Sequence, residues 1–268
     1  MSTVLAALDG TAFDRVVLET AARFGHLTGA RVEAVSVRGG RLESGERPQS
    51  LASGAGVPFR LLEGPVATAL LGALDAPDAI AAVIGARATP GGRRPVGRTA
   101  HEILGHTRKP VVVVPPAVDA PRAFGCLLIP LEGADVSSRA VLEQLCPLLA
   151  EAVELVVLHA FTAATVPPML DRPRYDLDIL GQEFLLRHCP YSTRVEFCSG
   201  PVARRVTEAS TVSATDLVVL SWSQDSSPGR ARVIREVLDS ASVPVLLIPV
   251  GVSGPQGTNS PYVSRSRT

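Results

Sequence analysis

Residues 80–116 read IAAVIGARATPGGRRPVGRTAHEILGHTRKPVVVVPP. A small and β-branched apolar run, Ile80 to Gly85, leads into a loop rich in glycine, proline and arginine. A helical pattern follows from Gly97 through Leu104, and a second apolar run opens at Pro110. Neither run alternates strictly between apolar and polar, as expected of strands buried on both faces of a parallel sheet. The helix between them supplies the crossover that parallel strands need. One such β-α-β unit commits the chain to the α/β class.

Working outward, the unit recurs. Pro244 to Val250 is a second Pro-Val run, and Gly229-Arg230 opens a helical pattern through Leu238 as Gly97-Arg98 does. Gly64-Pro65-Val66-Ala67 returns unchanged as Gly200-Pro201-Val202-Ala203, and Leu8-Asp9-Gly10 returns as Leu131-Glu132-Gly133. The period is roughly 120 to 140 residues. Further apolar runs at Thr3 to Leu8, Arg31 to Val37, Val111 to Val114, Cys126 to Leu131, Glu154 to Phe161, Leu217 to Leu220 and Val245 to Ile248 predict strands, and alternation at Val57 to Leu62 and Thr193 to Cys198 predicts two more. Phe13, Val16, Val17, Ala21 and Phe24 share a helical face with Thr11 or Asp9 as cap, and Val141, Leu145, Leu148 and Leu149 form another. Pro65 and Pro201 suit a first helical position. Copy two has room for a helix around Leu177, Leu180, Phe184 and Leu185, whereas Gly39 to Gly56 predicts a missing or reduced one. The expectation is two doubly wound, open, five-stranded parallel-sheet domains, 1–116 and 123–250, with a linker at 117–122 and a disordered tail at 251–268.

Composition agrees with two compact domains: the chain has 268 residues, 46% hydrophobic and 19% charged. Seven Phe, three Tyr and one Trp, with a formal charge of zero, exclude a nucleic-acid binder built on stacking and phosphate contacts. The zero is a sum, since residues 1–122 carry 14 basic against 11 acidic side chains and residues 123–268 carry 12 against 15. Lys109 is the only lysine, which excludes a Gly-Lys-Ser/Thr phosphate loop. Cys126, Cys146, Cys189 and Cys198 lack redox or zinc spacing and read as small hydrophobes in a reducing cytosol. His26, His101, His106, His159 and His188 lack metal-ligand spacing, and His159 reads as a strand-end core residue. No apolar run reaches the ~18 residues of a membrane span, so a cytoplasmic protein with no membrane and no nucleic-acid partner is expected.

Chemistry in an open α/β sheet belongs beyond the carboxyl ends of the strands. There, Asp9-Gly10 offers a carboxylate for a ribose or an adenine amine, or a helix cap. The glycine-rich loop from Gly85 to Thr99 feeds a helix N-terminus whose N–H groups suit a phosphate. Arg87, Arg93, Arg94, Arg98, Arg108 and Lys109, offset by Glu102, read either as a polyanion-attracting patch or as a solvated arginine-rich surface. For Arg204, Arg205, Arg230, Arg232 and Arg235, helical pairing with Glu208 and Glu236 suffices.

The strand ending in Gly85, its loop, Gly97, the helix to Gly105, and Arg108-Lys109-Pro110-Val111-Val112-Val113-Val114-Pro115 resemble the C-terminal half of a universal stress protein domain of the UspA type. Ile129-Pro130-Leu131-Glu132-Gly133 resembles that family's opening strand, and the resemblance covers roughly residues 1–250. It implies an adenine-nucleotide-hydrolase-like fold in tandem, with the two domains paired through their last strands as an intramolecular pseudo-dimer and further homo-oligomers open to it. It also implies a non-enzymatic, stress-linked binding or regulatory module with protein partners of unknown identity. Nucleotide-binding members carry Gly-x-x-Gly, nine residues, then Gly-Ser/Thr. Here Ala88 replaces the second glycine, eight residues separate it from Gly97, and Arg98 replaces the hydroxyl, with Thr99 one place on. The resemblance therefore implies ATP or another adenine nucleotide, with no metal beyond its Mg²⁺, at Asp9, Gly10, Val37, Gly85, Arg87, Gly97, Arg98 and Thr99. Copy two, with Ser221 to Arg230 lacking any glycine before Gly229, with Glu132 for Asp9 and an added Asp225, is expected not to bind ATP in this manner. A scaffold with both sites closed is the alternative. A nucleotide hydrolase is the third, although the chain has neither a Ser-Gly-Gly-x-Asp-Ser loop nor a His-x-Gly-His pair nor a Gly-x-Ser-x-Gly elbow.

Overall fold

The computed structural model describes residues 1–38, 47–86, 96–116, 118, 123–131, 141–161, 194–224 and 232–250. The first half runs β1 (Thr3–Ala7), α1 (Asp14–Thr28), β2 (Arg31–Val37), α2 (Pro48–Gly54), β3 (Phe59–Leu62), α3 (Val66–Asp75), β4 (Ala79–Gly85), α4 (Arg98–His106) and β5 (Val111–Val114). The second half runs β6 (Cys126–Leu131), a helical stretch over 141–145 continued as a 3₁₀ turn (Cys146–Leu148), β7 (Glu154–Phe161), β8 (Arg194–Ser199), α5 (Val202–Val212), β9 (Leu217–Trp222), α6 (Arg232–Ser240) and β10 (Val245–Pro249). The chain is α/β, as its β-α-β pattern predicts.

All ten strands join one sheet in the order β3-β2-β1-β4-β5-β10-β9-β6-β7-β8. Within each half every pairing is parallel. The halves meet antiparallel at β5 and β10, with Val113 opposite Val245, Val112 opposite Leu246 and Val111 opposite Leu247. The two Pro-Val runs thus pair with each other inside one polypeptide. Val111 to Val114 are fully buried, because helices cover both faces of this central strand.

Right-handed crossovers decide which helix covers which face. The β1-β2 and β2-β3 connections place α1 and α2 on one side, where Phe24, Leu51 and Leu145 share a core. The crossovers into β4 and β5 place α3 and α4 on the other, with Leu74, Ile103, Val206 and Leu238. Each core draws on both halves. On the first face Phe24 meets Phe124 edge-on at 6.3 Å, and Ala150 N donates to Leu27 O at 2.8 Å. The side chain of Lys109 donates to Ala76 O and Ala79 O, both at 2.6 Å, tying the end of α4 to the α3-β4 turn.

The repeated tetrapeptides adopt the same backbone. Gly64 and Gly200 have φ of 108° and 115°, and Pro65 and Pro201 have φ of −62° and −61°. Each proline is the N-cap rather than the first helical residue, because its ψ stays extended and the helix starts at Val66 or Val202. Other expectations also shift. Neither Asp9 nor Thr11 caps α1: Phe13 holds the N-cap, and Asp9 instead accepts a hydrogen bond from Thr11 N at 3.2 Å. The face through Leu148 and Leu149 does not continue as α-helix, since Pro147 lacks the N–H the ladder needs and the turn tightens to 3₁₀. The helix between β2 and β3 is present but reduced to seven residues. Strand β9 runs two residues past Leu220, to Trp222. His159 is buried in β7 against Phe197, as read. The helix around Leu177 to Leu185, most of the linker and the tail lie outside the described residues.

Candidate functional site

In the first half, successive crossovers leave the sheet on opposite faces at β1 and β4, so a crevice opens between their carboxyl ends. Asp9 and Gly10 follow β1, Gly85 ends β4, and Val37 ends the neighbouring β2, so four of the predicted residues gather on one edge of the sheet. Gly97 joins them, because its N–H donates to Ala86 O at 2.7 Å and closes the base of the intervening loop. Arg98 and Thr99 form the exposed first turn of α4. Arg87, with Ala88, Arg93 and Arg94, lies outside the described residues.

Asp14, which no sequence motif marks, organises this edge. Its Oδ1 accepts from Asp9 N at 2.9 Å and its Oδ2 from Gly10 N at 2.8 Å, while the side chain is 3% exposed. The loop can present both N–H groups to one carboxylate because Gly10 adopts φ of 85°, a region costly to residues with a Cβ. Burial raises the Asp14 carboxyl to about 7; the two backbone N–H groups oppose the rise and the nearby Asp9 carboxylate adds to it. The signal for Asp14 was its position, a carboxylate opening a helix five residues after Asp9. Phe13, also unforeseen, lies beside Gly85, where an added Cβ would stand 3.4 Å from its Cδ1.

The chemistry on offer is recognition. Asp9 exposes a carboxylate able to accept from hydroxyl or amine donors. With the Asp9, Gly10 and Gly97 N–H groups engaged by the protein, the donors left for an anion among the described residues are those of the first turn of α4 and the Arg98 guanidinium beside them. Of the other basic residues, Arg108 is exposed and Lys109 is committed to Ala76 and Ala79. Among the described residues no group of three or more His, Cys, Asp and Glu suits a metal ion, and no helix is long and apolar enough to cross a membrane.

The matching edge of the second half is arranged differently. Trp222 at the end of β9 is 5% exposed and donates from Nε1 to Leu104 O, in α4 of the first half, at 2.6 Å. Gln224 Nε2 donates to Thr107 O beside it. The second arginine set is paired as expected: Arg204 and Arg205 each approach Glu208 at 2.7 Å and Arg232 approaches Glu236 at 3.2 Å. Arg230, Glu132 and Asp225 lie outside the described residues. Cys126 is buried and Cys146 and Cys198 half-buried; burial pushes all three thiols up, away from the reactive thiolate.

No family model and no curated protein matches the chain. Solved structures match it along nearly its whole length. A protein of unknown function from Pseudomonas aeruginosa PAO1 is 13% identical, with 93% of this chain and 92% of that one covered at a TM-score of 0.66. A putative universal stress protein from Pseudomonas aeruginosa UCBPP-PA14 is 12% identical, with 93% of each chain covered at 0.66. A universal stress protein from Archaeoglobus fulgidus is 13% identical, with 94% and 97% covered at 0.61. At this identity the likeness is one of fold, and it extends across both halves.

Proposed function

We propose that this chain, which has the universal stress protein fold in tandem form, is a cytoplasmic binding and regulatory module of the stress response. Its domains are residues 1–116 and 123–250, and it acts by binding an adenine nucleotide in the first rather than by catalysis. The observation that carries the reading is the asymmetry of the two sheet edges. In the first half Asp9, Val37 and Gly85 stand at the carboxyl ends of neighbouring strands, and the first turn of α4 with Arg98 has no side-chain cap. In the second half Trp222 and Gln224, at and just past the end of β9, are spent on protein carbonyls. The adenosine moiety would lie at Asp9 and Val37, and the phosphates at α4, where helix N–H groups and a guanidinium supply the donors that Ala88 and the shortened interval withhold.

The test is native mass spectrometry of freshly purified protein, followed by calorimetry with ATP. Bound nucleotide, or heat that Arg98→Ala weakens more than Arg230→Ala does, is the expected result. No bound nucleotide and no heat at millimolar ATP would leave the chain as a scaffold for protein partners. ATP turnover abolished by replacing one carboxylate would make it an enzyme instead.

A further inference from the structure

Strand registers set the two halves side by side. Gly85 pairs with Val114, four residues past Pro110, and Ser221 pairs with Ile248, four past Pro244. Trp222 therefore occupies the place of Ala86, and Gln224 follows two residues on. Ala86 is buried and its methyl group reaches no distant carbonyl, whereas the Trp222 indole crosses to Leu104 O and Gln224 to Thr107 O. Gln224 holds φ of 61° to do so, a conformation rare for a residue with a side chain. The last carbonyls of a helix have no partner in the helix itself, and the second half supplies partners at the C-terminus of α4. The other end of α4 begins at Gly97, whose N–H closes the first-half loop on Ala86 O. One nine-residue helix thus touches the second half at its end and the candidate site at its start.

We propose that Trp222 and Gln224 form an intramolecular clasp by which the second half holds α4 against local opening and so sets how firmly the first-half site is formed. The consequence for ligand rests on the nucleotide reading above; the clasp itself does not. Amide hydrogen exchange on the full chain tests it with Trp222→Phe, which keeps an apolar ring but removes the N–H, combined with Gln224→Ala. Two lost hydrogen bonds predict exchange roughly ten-fold faster across residues 98–107, with β1 and α6 unchanged. Unchanged exchange at 98–107, or an equal increase over the whole sheet, overturns the clasp. If Trp222→Phe does not fold, Gln224→Ala alone decides on the same readout with a smaller, several-fold increase. In a chain that binds ATP, the double variant binds it several-fold more weakly, and unchanged affinity overturns the coupling to the site. A wild-type chain that binds no ATP refutes the nucleotide reading alone, because the exchange experiment still decides the clasp.

Discussion

The Asp14 carboxyl is shut away from water, where two backbone N–H groups stabilise its charge. Its folded value, about 7, lies above its ordinary 3.8. A group raised in this way contributes stability that is fully present below about pH 4, declines as pH rises, and is lost above about pH 7. The contribution is on the order of 4 kcal/mol. Urea midpoints measured from pH 4 to pH 8 are expected to fall with pH in the wild type and to flatten in Asp14→Asn; the same slope in both would place the titration elsewhere. Gly85 offers a second residue-scale test. A Cβ there meets Phe13 only at ordinary van der Waals distance, so the protein itself tolerates alanine. Gly85→Ala is therefore expected to melt within a few degrees of wild type yet lose ATP binding in calorimetry, if the missing Cβ serves a ligand. Retained binding would show that no ligand approaches this backbone.

Among the elements, α1 shows what its termini require. It ends at Gly29 with φ of 61°, and Ala30 N returns to Gly25 O at 2.8 Å. A Cβ at Gly29 would also stand 3.1 Å from the Ala150 Cβ of the second half. Gly29→Ala is expected to cost about 1–2 kcal/mol, seen as a melting temperature lowered by a few degrees in calorimetry. The strands were legible because burial on both faces writes itself as runs such as Val111 to Val114, and the repeat was legible because Gly64-Pro65 and Gly200-Pro201 build the same turn. The start of α1 was misread because side-chain type points to a cap, whereas the loop turns at Gly10 and delivers its N–H groups to Asp14 further on. Of the site, the gathering of Asp9, Val37 and Gly85 followed from topology. The roles of Phe13, Trp222 and Gln224 did not, because their partners lie on other elements, for Trp222 118 residues away.

On the scale of the whole molecule, the two halves have no separate interiors. β5 and β10 make one continuous sheet, and both cores collect side chains from each half. Separating the halves would expose the edge of β5, whose four valines are fully buried, along with the Phe24–Phe124 contact. Unfolding is therefore expected to be one cooperative event. Trp222, the only tryptophan, sits where the halves meet, so its fluorescence and the far-UV circular dichroism should trace one guanidinium transition. A fluorescence change that precedes loss of secondary structure would mean that the halves part before either melts.

The pairing of Lys109 with two carbonyls has a practical side. It is the chain's one side-chain amine, and its nitrogen is already donating to Ala76 and Ala79. Acetylation, ubiquitin attachment and amine-directed cross-linking thus find a single lysine, and reaching it means breaking the bonds that hold α4 to the α3-β4 turn. Probing this surface calls for arginine- or carboxylate-directed reagents, and any lysine introduced by substitution would add a second side-chain amine, free of such bonds.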